Sequence, residues 1–349
     1  GAAERRAALA RLEAVIRARQ GEICDAIAQD LGRGREESLL VEVLPLVQEI
    51  GQARRSLQRW MRPRRVWGGL AGFGTKARLV PQAKGVALIV APWNYPVSLA
   101  LGPLISALAA GCSAVVKPSE LAPASAAMVA RIVAEAFDPG LVAVVEGDRE
   151  VATRLLALPF DHIFFTGSPA VGKVVMAAAA ETLASVTLEL GGKSPCIIGP
   201  GMRSGADLAA AARWVAFGKL TNAGQTCIAP DHVLVHEAVK APFLAALQAE
   251  YARHRPQTRI ISPRHAERLR AMLAEAEGLG ARRLCGGAGA GCEMAPVILE
   301  GMPEGSALAR EEIFGPILPV VSWAEEAEVL ARLGAGEVPL SLYLFERDQ

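Results

Sequence analysis

Leu9, Leu12, Ile16, Ile23 and Ile27 recur at helical spacing from Ala7 onward, with arginines and glutamates on the other face, and predict one amphipathic helix. Leu39, Leu44, Val47 and Ile50 predict a second, which Pro63 ends near Trp60-Met61. Glycine-rich 68–74 reads as a loop, and 76–84, with shorter alternation around Pro81, as a projecting strand or hairpin. Beyond it the texture changes. Short apolar runs at Val86–Val90, Ser113–Lys117, Leu141–Val145, His162–Thr166, Val186–Glu189 and Cys196–Ile198 alternate with alanine-rich helical stretches. Consecutive apolar positions suit strands covered on both faces, and the intervening helices suit parallel crossovers. The pattern predicts an α/β fold built on a doubly wound parallel sheet.

At 349 residues the chain exceeds the usual size of one core, which argues for at least two domains. Charged residues are 21% of the chain and the net charge is +1, which gives no electrostatic reason to expect a nucleic-acid partner. The most basic stretch, Arg54 to Arg65, reads as a solvated helix end and loop. No apolar run reaches the roughly 18 residues of a spanning helix. The six cysteines show no paired metal spacing, so no metal site is expected and a reducing cytoplasm fits.

Six segments carry candidate chemistry. Cys227, in a small and polar stretch from Asn222 to Thr226, can attack a carbonyl carbon. Its bland alternative is an inert buried thiol. Glu189 ends an apolar run before Gly191-Gly192, a place for a carboxylate that is exposed in a cleft or paired, and it can serve as a base. Asn94, between Pro92 and Pro96, can donate to an oxyanion, or can simply be a turn residue. Lys117, Ser119 and Glu120 close a strand where a ribose could bind. Gly167, Ser168 and Gly172 form a strand, turn and helix start suited to phosphate. The same run matches most of a P-loop, but Val174 stands where a magnesium-binding hydroxyl is needed. Glu311-Glu312-Ile313-Phe314-Gly315-Pro316 reads otherwise as a helix end entering a strand.

Taken jointly, PWNYP at 92–96, KPSE at 117–120, FTGS at 165–168, LELGGKSP at 188–195, GQTC at 224–227 and EEIFGP at 311–316 resemble the aldehyde dehydrogenase superfamily. The finer pattern is similar to its class 3 branch and to the coniferyl aldehyde subgroup. The resemblance implies an NAD- or NADP-binding domain at 1–76 and 85–188, an oligomerisation segment at 77–84, and a catalytic domain at 189–349. It implies that Cys227 attacks the aldehyde, that Asn94 and the Cys227 N–H hold the oxyanion, and that Glu189 activates the hydrolytic water. It gives cofactor contacts to Trp93, Lys117, Ser119, Glu120, Gly167, Ser168, Gly172, Leu190, Glu312 and Phe314. It also implies a homodimer and further C-terminal elements after Gln349, and makes the 251–259 connection look short. The competing function is a non-catalytic nucleotide- or partner-binding domain of the same fold.

Overall fold

The computed structural model describes residues 1–347 apart from 255, 256, 288 and 337. The expectations about the 251–259 connection and the chain end therefore fall partly outside the described residues. The chain divides into two compact units, residues 1–30 with 34–189, and residues 31–33 with 190–349.

The first unit begins with helices Ala2–Ala18 and Gln20–Leu31 rather than the single helix expected. Arg19 leaves the helical region at φ −105°, ψ 14°, while Leu9, Leu12 and Ile16 before it and Ile23 and Ile27 after it are all buried. A shared apolar stripe thus concealed a change of direction. The next helical stretch contains a π turn, Leu39–Val43, immediately ahead of helix Leu44–Trp60, which carries Pro45 in its first turn, where proline is tolerated. Strands β1 (Arg64–Val66) and β2 (Ala77–Leu79) pair as an antiparallel hairpin. The basic stretch expected as a helix end and loop therefore ends in a strand, because Arg64 and Arg65 find backbone partners across the hairpin.

The main sheet of this unit comprises β3 (Val86–Val90), β4 (Ser113–Lys117), β5 (Val142–Val144), β6 (His162–Gly167) and β7 (Ser185–Leu190), in the order β5-β4-β3-β6-β7. Pairings β5-β4, β4-β3 and β3-β6 are parallel. Ala87, Leu88 and Ile89 are buried in succession, as a centrally placed strand covered on both faces requires. The run in β7 was expected to be covered in the same way, yet its residues are half-buried and Glu189 is exposed. The reason is position: β7 is the edge of the sheet.

The second unit is built on β8 (Pro195–Ile198), β9 (His232–His236), β10 (Arg282–Cys285), β11 (Val297–Glu300), β12 (Ile317–Trp323) and β13 (Tyr343–Phe345), ordered β10-β11-β12-β9-β8-β13. Only the β10-β11 pair is antiparallel. Alternation along the strands divides the core. Cys196, Ile198, Val233, Val235, Leu318 and Val320 pack with helices Gly205–Leu220 and Glu237–Arg253. Val297, Leu299 and Ile317 pack with helix Pro263–Gly278, and Ile197 and Leu234 pack with helix Glu326–Ala335. Two buried faces make this sheet the rigid support for the loops at its strand ends.

Candidate active site

In the first unit the strand order reverses between β3 and β6, since β4 and β5 lie on one side of β3 while β6 and β7 lie on the other. Crevices at such a reversal, outside the carboxyl ends of the strands, are where open α/β sheets bind nucleotides. Trp93 and Asn94 follow β3, Lys117 ends β4, and Gly167 ends β6. Asn94 is buried and Trp93 half-buried. The Lys117 side chain is 4% exposed, and its Nζ donates to Glu120 Oε2 at 2.7 Å. Ser119 is buried beside them. Ser168 caps helix Pro169–Thr182 by accepting from Val171 N, and Gly172 is buried in its first turn. These residues fit the adenosine half of a dinucleotide: a cation and a carboxylate at one strand end, a helix N-terminus at the next but one.

One residue that sequence reasoning passed over secures the Trp93–Asn94 loop. Glu42, in the π turn, is fully buried, and its Oε2 accepts from the backbone N–H groups of Val97 (3.0 Å) and Ser98 (2.7 Å). A carboxylate there satisfies two donors at the start of helix Ser98–Ala110 and complements its dipole. The signal available in sequence was only an acidic residue within an apolar stretch.

In the second unit three motif segments precede β8, β9 and β12, which are neighbouring parallel strands. Topology therefore brings 191–194, 222–230 and 311–316 to the amino ends of adjacent strands. Gly224, at φ +72°, is a close backbone approach between two of the segments: a Cβ there would run into the Gly315 carbonyl and lie 3.0 Å from Lys219 O. A Cβ at Gly191 would meet the Glu312 carboxylate, the far end of a flexible side chain, so Gly191 and Glu312 lie against each other. Phe314 adopts φ +51°. Cys227 is half-buried in the turn after Gln225, and Leu190 is half-buried at the end of β7.

Asp231 joins the three segments. Its N–H donates to Ser194 O at 2.8 Å, and its Oδ1 accepts from Ile313 N at 2.9 Å. Its Oδ2 accepts from Lys193 Nζ, which also donates to Leu308 O (2.7 Å) and Glu311 O (3.0 Å). Burial opposes its ionisation, but His232, Lys193 and Lys219 together hold its pKa at about 2. Burial pushes Lys219 down to about 8, against the opposing pull of Asp231. Burial likewise raises Glu312 to about 7, although Gly192 N–H donates to its carboxylate. Sequence marked Glu312 but not the buried charge pattern around it.

The thiols are not equivalent. Burial pushes Cys196 far above the ordinary range and raises Cys24 and Cys285, which disfavours the reactive thiolate at all three. Among the described residues no disulfide joins any of the six cysteines.

Comparison with known proteins decides the family, since the aldehyde dehydrogenase family model matches residues 1–349. The chain belongs to the aldehyde dehydrogenase family. It is similar to a probable coniferyl aldehyde dehydrogenase of Pseudomonas aeruginosa, 38% identical over 339 residues that cover 95% of this chain and 70% of the relative. It is also similar to the substrate-bound structure of Staphylococcus aureus AldH, with a TM-score of 0.93 and 38% identity over 100% of this chain and 77% of that one. A Mycobacterium tuberculosis aldehyde dehydrogenase complexed with NAD+ superposes with a TM-score of 0.90 at 27% identity, over 99% of this chain and 73% of that one. The α/β architecture expected from sequence is that of this family, and the chain is an oxidoreductase acting on aldehydes. No described helix is long and apolar enough to cross a membrane.

Proposed function

We propose that this member oxidises an aromatic aldehyde such as coniferyl aldehyde, or a long-chain aliphatic one, to the carboxylic acid through a thioester on Cys227. The observation that carries the reading is the convergence of the 191–194, 222–230 and 311–316 segments at adjacent strand ends, with Cys227 in the middle segment. The similarity to a coniferyl aldehyde dehydrogenase supports the aromatic class.

Cys227 Sγ adds to the aldehyde carbon, giving a tetrahedral adduct whose oxyanion is assigned to the Cys227 N–H and the Asn94 amide. One such preorganised donor contributes about 3 kcal/mol in other enzymes. NAD or NADP, when bound, supplies the acceptor for the electron pair leaving with the C–H hydrogen. Collapse of the oxyanion restores the carbonyl as a thioester. Glu189, exposed at the end of β7, takes a proton from water as the water attacks that thioester, releasing the acid and the thiol.

Lys117, Ser119 and Glu120 are assigned to the adenosine ribose, Trp93, Gly167, Ser168 and Gly172 to the diphosphate, and Leu190, Glu312 and Phe314 to the nicotinamide side. A Glu120 carboxylate favours a free 2′-hydroxyl over a 2′-phosphate by hydrogen bonding and charge. We further assign self-association as a homodimer to the 77–84 segment, which begins with β2 and where Leu79 and Val80 are exposed, and location to a reducing cytoplasm. The test is NAD(P)H formation at 340 nm with coniferyl aldehyde and a long-chain aldehyde, comparing the chain with Cys227→Ala. Turnover abolished in the variant supports the thiol route, and turnover retained overturns it.

A further inference from the structure

Asn222, Ala223 and Gly224 are three successive residues in the left-handed region, at φ 53°, 53° and 72°. A run of this kind is unfavourable for L-residues and persists only where its surroundings over-determine it. The surroundings are a buried polar clasp. Asn222 Nδ2 donates to Gln225 O at 3.0 Å, while Gln225 N and Nε2 both donate to Asn222 O at 3.1 Å. Gln225 is then tied outward, Nε2 to Arg259 O at 3.0 Å and Oε1 from Ile261 N at 3.0 Å. Arg259 N in turn donates to Leu31 O at 2.6 Å.

At the centre lies Arg33. It is fully buried, and its Nε and Nη2 both donate to Asn222 Oδ1, at 3.2 and 2.6 Å. A guanidinium delivers two donors from one rigid plane, which fixes the orientation of the Asn222 amide as well as its position. That orientation leaves Nδ2 aimed at Gln225 O, two residues before Cys227. Arg33 sits in the tripeptide 31–33, which groups with residues 190–349 although the chain on either side of it belongs to the other unit.

We infer that Arg33 is a positioning residue for the nucleophile loop: it locks the left-handed turn at 222–224 and thereby sets the direction in which Cys227 is presented. The inference rests on the proposed role of Cys227. Small misplacements of a reacting group cost large factors in rate, so Arg33→Met should lower kcat for coniferyl aldehyde by about tenfold to a hundredfold. The KM for NAD should stay unchanged. Arg33→Lys, which keeps the charge but loses the fork, should recover part of the loss.

A readout independent of turnover is hydrogen exchange. Amides of 222–227 should exchange at least about tenfold faster in Arg33→Met, with protection in β8 and β9 unaltered. Should Arg33→Met fail to fold, Asn222→Gly decides, because glycine accepts φ 53° while removing the acceptor; the same two changes are expected. Unchanged exchange at 222–227 in a folded variant overturns the inference, as does a kcat loss that runs in parallel with melting temperature and NAD affinity. Failure of the Cys227 role itself is distinguishable, because Cys227→Ala would then retain turnover while the exchange result still stood.

Discussion

Replacing Glu312 by glutamine turns the buried charge pattern into a measurable pH dependence. Burial raises Glu312 from 4.5 to about 7. Between those two values the folded chain binds more protons at this site than the unfolded one, so stability falls as pH rises through the window. The favourable contribution of the neutral acid is complete below about 4.5 and gone above about 7. A displacement of this size corresponds to about 3 kcal/mol. Glutamine is neutral throughout and can still accept from Gly192 N–H. The variant should therefore match the parent near pH 5 and exceed it near pH 8.5 by up to about 3 kcal/mol. For a unit of this size that is roughly 6 to 12 °C in melting temperature. Thermal melts followed by circular dichroism at both pH values read the difference directly. A gap that is the same at the two pH values, or one that favours the parent at pH 8.5, would refute the reasoning.

Two further substitutions probe the joint between the three segments. Gly224→Ala places a methyl against the Gly315 carbonyl at φ +72°, and should destabilise the second unit by more than about 2 kcal/mol, seen as an earlier melting step. Asp231→Asn removes the charge that Lys193 and His232 face, and should cost about 3 to 5 kcal/mol near pH 7. Because its pKa is depressed from 3.8 to about 2, Asp231 contributes above about pH 4 and loses that contribution towards pH 2. The gap between variant and parent should narrow in that acid range in urea titrations.

The parallel strands of the first sheet were legible in sequence because each is a short apolar run between alanine-rich helices, and in β3 that pattern reflects burial on both faces. The break at Arg19 was not, since Leu9 to Ile27 keep one stripe across it. Glu189 illustrates the limit of local pattern: an apolar run does not say whether its strand lies at the centre or the edge. The motif residues were individually ambiguous and became informative in combination. The order β12-β9-β8, which gathers the three segments of the second unit, is a non-local pairing that no window of sequence contains. For the same reason Arg33 carried no signal: its partner Asn222 lies 189 residues away. Asp231 lies just beyond the 222–230 segment, but its role depends on Ser194 and Ile313 arriving from two other segments.

The most direct test of the central claim is to trap the acyl group. Glu189→Gln, mixed with coniferyl aldehyde and NAD and quenched in acid after one turnover, should carry the acyl mass on the peptide containing Cys227. An initial burst of NADH at 340 nm should accompany it, with steady turnover slowed by about a hundredfold or more. NADH forming steadily while the Cys227 peptide stays unmodified, or the acyl mass appearing on a peptide containing another cysteine, would contradict the account.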